Sequence, residues 1–85
     1  MKAKASRCAF FTLAAYERTR EKRVHKLVTY GMLAIPETCV YPIVITRDER
    51  SDDENPTTKL FVEYHEYTVI GTYDDVATEL KKIGV

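Results

Sequence analysis

Residues 17–23 read Glu17-Arg18-Thr19-Arg20-Glu21-Lys22-Arg23, seven successive positions without an apolar side chain. The alanines and straight-chain residues around this run favour a helix over the first third of the chain by propensity. A helix that faces a core, however, needs an apolar residue every third or fourth position. The run therefore decides between a helix and a hairpin, and it favours the hairpin. The expectation is a strand over about 8–16, an exposed charged turn over 17–22 and a second strand over about 23–34. The turn lacks the Asn-Gly or Asp-Gly pair of a tight hairpin. Gly31, inside the second strand, marks a bulge or the close approach of another backbone.

Further along, Val40–Arg47 and Lys59–Ile70 are rich in Val, Ile, Thr, Phe and Tyr, residues that fit a pleated surface. Pro42 cannot donate to a ladder, so it belongs at a strand start or on a sheet edge. Between these stretches Asp48–Thr58 holds Asp48, Glu49, Asp52, Asp53 and Glu54 and no large apolar side chain; it reads as a solvated, flexible acidic loop over 48–58. The final segment carries helix signals throughout. Thr72 and Asp75 have capping-box spacing, and Val76, Leu80 and Ile83 recur on one face. Lys81 and Lys82 meet the carbonyl end, and Gly84 supplies the stop. A helix over about 73–83 follows.

Residues 1–85 are thus expected to form one small α+β domain, a four-stranded, mostly antiparallel β-meander followed by one C-terminal α-helix. The alternative is an N-terminal helix, then three strands and the C-terminal helix. If Lys59–Ile70 is one strand, Leu60, Val62, Tyr64 and Ile70 share one face and Phe61, Tyr67 and Val69 the other. One short helix covers only one face of such a sheet, which points to a homodimer.

The charge is segregated. Residues 1–26 carry eight basic and two acidic side chains, net +6, while residues 27–85 carry five basic and eleven acidic ones, net −6. A basic patch attracts phosphate or an acidic protein surface whatever the total charge is. Arg18, Arg20, Lys22, Arg23 and Lys26 would project from the hairpin, with Tyr16 and Tyr30 at its base to stack on unpaired bases, so RNA is favoured over DNA as a nucleic-acid partner. A protein partner fits the same segment.

Other chemistry is less well supported. Glu63, His65 and Tyr67 would share a strand face, the pairing a general acid and base need, and with the basic patch they sketch a ribonuclease-like site. A solvent-side polar strip, with His65 charge-paired to a carboxylate, explains them better. Cys8, His25, Cys39 and His65 lack any local pair with metal-ligand spacing, and two cysteines read as reduced core thiols. Three glycines, at 31, 71 and 84, make no phosphate loop. The apolar stretch 8–15 behind Lys2, Lys4 and Arg7 reads as a buried strand rather than a secretory signal, and no run approaches a membrane span. The expectation is a cytoplasmic, cofactor-free, non-enzymatic binding protein, a regulator or inhibitor of viral or mobile-element type.

Overall fold

The computed structural model describes residues 7–18 and 25–84. Its elements are β1 (Cys8–Arg18), β2 (His25–Pro36), β3 (Ile43–Arg47), β4 (Thr57–Val62), β5 (His65–Ile70) and α1 (Tyr73–Lys82). The strands make one antiparallel sheet in the order β2-β1-β5-β4-β3.

Alternation along the strands builds the core. In β1, Ala9 and Phe11 are buried, and the register sets them opposite Ile35 and Leu33 of β2. Leu60 and Val69 continue this inner face on β4 and β5, and α1 closes it with Val76, Leu80 and Ile83. Leu60, Val69 and Val76 are fully buried, each worth about 1.5–3 kcal/mol in transfer terms. The helix forms where its local signals place it. The Thr72 hydroxyl accepts from the Asp75 amide at 3.1 Å, the Asp75 carboxylate accepts from the Thr72 amide, and Gly84 takes a positive φ just beyond the end. Pro42 stands immediately before β3, which is an edge strand.

The first third forms the expected hairpin rather than the alternative helix; β1 runs two residues further than expected and β2 is shifted by two residues toward the C-terminus. Other expectations change. The segment 59–70 is two strands, not one, so the sheet has five. The chain folds back at Glu63 and Tyr64, where Val62 pairs with His65. No Gly, Asn or Pro announces this turn, because Glu63 itself adopts φ 57°, a region that costs a residue with a Cβ about 1–2 kcal/mol. The fold-back also reassigns the faces: Leu60 lies opposite Tyr67, and Leu60, Val62, Tyr67 and Val69 all belong to or pack on the core.

The topology is not a simple meander either. Strands β3, β4 and β5 follow one another, but β5 then pairs with β1, so β2 and β3, consecutive in sequence, occupy opposite edges. Finally, the acidic segment is not solvated throughout. Thr57 and Thr58 belong to β4 and are buried, and Asp48 is buried with them, while Glu49, Asp52, Asp53 and Glu54 are exposed. Of the two thiols, Cys39 packs half-buried against the core but Cys8 is exposed, so it is no core residue.

The radius of gyration is 14.7 Å and the molecule measures 60 × 24 × 21 Å. A compact domain of this length has a radius of gyration of about 12 Å.

Candidate nucleic-acid interface

Strand β1 pairs with β5 only at Leu13 and Ala14. At that level its register with β2 also shifts: Leu13 faces Gly31 and Ala14 faces Thr29, leaving Tyr30 as the extra residue of a bulge. A bulge bends its strand and increases the local twist, which accounts for the departure from the sheet. Of the two roles expected for Gly31, the bulge is the one observed, since the space its Cβ would occupy is open. Beyond Ala14, residues 15–18 and 25–28 pair only with each other. They form a two-stranded ribbon extending about 13 Å from the sheet at four residues per strand.

A polar network anchors the root of this arm. The Tyr16 hydroxyl lies 2.8 Å from the Thr57 hydroxyl and 3.1 Å from the Arg50 carbonyl. The Thr57 hydroxyl donates to the Asp48 carboxylate at 2.8 Å, so the single phenol proton of Tyr16 is shared between the Thr57 hydroxyl and the Arg50 carbonyl. Asp48 also accepts from the Arg50 amide at 3.0 Å and from the Arg50 guanidinium at 3.4 Å. That guanidinium sits 4.4 Å from the centre of the Tyr16 ring, which closes the circuit. Burial pushes the Asp48 carboxyl up, but the Arg50 amide, the Thr57 hydroxyl and the Arg50 charge together hold it below the ordinary carboxylate range.

The residues expected to form the site divide accordingly. Arg18 stands opposite His25, and Lys26, exposed, opposite Glu17, all on the ribbon. Arg20, Lys22 and Arg23 lie outside the described residues. Tyr30 is exposed at the bulge. Tyr16 is half-buried with Arg50 over its ring, so it is a fixed strut rather than an open stacking platform. Arg50 was not expected here; it brings a further partly exposed cation to the arm's root. Only the two-residue spacing of Asp48 and Arg50 hinted at a local turn, since their partner Tyr16 lies far away in sequence.

The carboxylate and imidazole expected to work together do not share a face. Glu63 is a turn residue, whereas His65 begins β5 with its ring 6.3 Å from that of Tyr67. Both are exposed. A polar concavity of about 360 Å³ beside the start of α1 is lined by Arg47, Asp48, Asp52, Asp53, Thr57 and Thr72, among others. Its lining holds one cation, Arg47, against three carboxylates, and among the described residues no buried side-chain polar atom lacks a partner. Among the same residues no three His, Cys, Asp or Glu side chains are grouped to hold a metal ion, and no helix is long and apolar enough to cross a membrane. No protein-family model, curated protein or solved structure matches this chain.

Proposed function

We propose that this chain is a non-enzymatic binding protein that lays its β1–β2 arm along the phosphate backbone of a nucleic acid and acts as a regulator or inhibitor by occupying that surface. Its main support is the ribbon beyond Ala14, which leaves the sheet and carries the basic end of the hairpin. The sequence joining its strands adds Arg20, Lys22 and Arg23 against a single Glu21.

Ribbon geometry bears on the type of nucleic acid. The major groove of B-form DNA, about 12 Å wide, admits a two-stranded ribbon, whereas the major groove of duplex RNA is too deep and narrow for side chains to read. With Tyr16 committed to Thr57 and Arg50, the stacking that favoured single-stranded RNA rests on Tyr30 alone. Duplex DNA is therefore the preferred partner.

The test replaces Arg18, Arg20, Lys22 and Arg23 together by Gln. Exposed charges contribute little to stability, so circular dichroism should be unchanged. Binding to a short mixed-sequence DNA duplex, followed by fluorescence anisotropy, should collapse. The slope of log affinity against log salt should fall by about 0.9 for each phosphate contact removed. Single-stranded RNA and duplex RNA serve as comparison ligands. Equal binding by the folded variant and the unmodified chain would falsify the proposal, as would failure of the unmodified chain to bind any nucleic acid; capture of an acidic protein instead would assign the arm to that class.

A further inference from the structure

The outer face of the hairpin, the side opposite Ala9 and Phe11, carries an apolar patch. There Phe10 stands across from Ala34 and Thr12 across from Met32, with Tyr30 beside them at the bulge. Phe10, Met32 and Tyr30 are 60%, 61% and 61% exposed. From Leu27 to Pro36 the chain has no charged residue, although a natural outer strand is usually guarded by charges.

We infer that a second copy of this chain covers this face, packing hairpin on hairpin about a two-fold axis. Aromatic residues and Met are enriched at interface cores and charged residues are depleted there, which matches Phe10, Tyr30 and Met32. An isologous contact needs one self-complementary patch, and two such faces can pack as aligned sheets about 10 Å apart. Charge fixes the direction of the axis. With the axis across the strands, the copies run antiparallel. The basic arm of each then points toward the end of the other hairpin where Asp75 and Glu79 of α1 border Phe10 and Thr12.

This inference does not depend on nucleic-acid binding, and its test contains none. Sedimentation velocity over a micromolar range should show the unmodified chain passing from monomer to dimer mass. Phe10→Glu combined with Met32→Glu should weaken dimerisation at least about tenfold and leave the circular dichroism spectrum unchanged, because both side chains are exposed. Should that variant not fold, peroxide oxidation of Met32 in the unmodified chain decides the matter: its rate, measured against an added methionine peptide, should fall as protein concentration rises. A monomer mass throughout, a dimer indifferent to the double substitution, or an oxidation rate independent of concentration would each overturn the inference. The first of these outcomes would leave the face to a different partner.

Discussion

In the body of the molecule, α1 lays Val76, Leu80 and Ile83 against Leu60 and Val69 of the sheet, whereas the arm beyond Ala14 is tied to that body through the Tyr16 phenol and the Arg50 guanidinium over its ring. One region is held by burial of apolar area, which is large and non-directional. The other is held by a short directional network that fixes an angle. A projecting arm cannot bury a core of its own, so orientation is what the network supplies. Substitutions in the two regions should accordingly separate stability from binding.

The sharpest break between them is expected at Leu60, which is fully buried. Leu60→Ala should lower the free energy of unfolding by about 2–5 kcal/mol in a urea titration, a large share of the total for a domain of this size. A loss no greater than that produced by arm substitutions would remove the distinction between core and arm.

Asp48 stands at the junction of the two regions, so Asp48→Asn should cost about 1.5–3 kcal/mol at neutral pH by weakening charge-assisted hydrogen bonds. Its folded-state pKa lies below the ordinary value of 3.8, so the folded chain holds this proton less tightly than the unfolded one does. The stability it contributes is therefore fully present above that ordinary value and is lost as pH falls through the folded one. Urea midpoints of the unmodified chain and Asp48→Asn should converge on going from about pH 6 to about pH 3; a gap that stayed constant would mean that the charge of Asp48 is not what matters.

The smallest expected effect is at Tyr16, where Tyr16→Phe keeps the ring under Arg50 and removes only the hydroxyl, at a cost of about 0.5–1.5 kcal/mol. Its signature is local. Amide exchange over Ala15–Glu17 should quicken while that of β4 and α1 holds steady; uniform acceleration would show that the arm and body open as one unit.

Elements with local signals were legible in the sequence. The Thr72–Asp75 box and the Val76, Leu80 and Ile83 stripe gave α1 nearly residue for residue, because helix caps and periodicity act within a few positions. The apolar runs gave the hairpin, and Gly31 gave its bulge. The turn at Glu63 was not legible, since a residue that normally avoids positive φ occupies it. The strand order was also hidden, because two residue pairs between β1 and β5, distant in sequence, determine it. The anchor was masked by composition: Asp48 heads a run of acids that elsewhere faces water, and only the fold brings Tyr16 and Thr57 to it. Tyr16 was expected at the base of the hairpin, but its contacts there with Thr57 and Arg50 were not foreseen.

The seating of β1 beside β5 has a consequence for a chain made from its N-terminus. Strands β1 and β2 can zip together as soon as both have emerged, for a hairpin is a local structure that forms within microseconds. Their inner face, with Phe11, Leu33 and Ile35, then has nothing to rest on until β5 and α1, which follow in the chain, have been synthesised. During that interval the nascent protein presents a long apolar hairpin with open edges, the kind of surface that draws chaperones or aggregates. The half-made chain is thus most vulnerable in the element that the finished molecule extends furthest into solvent.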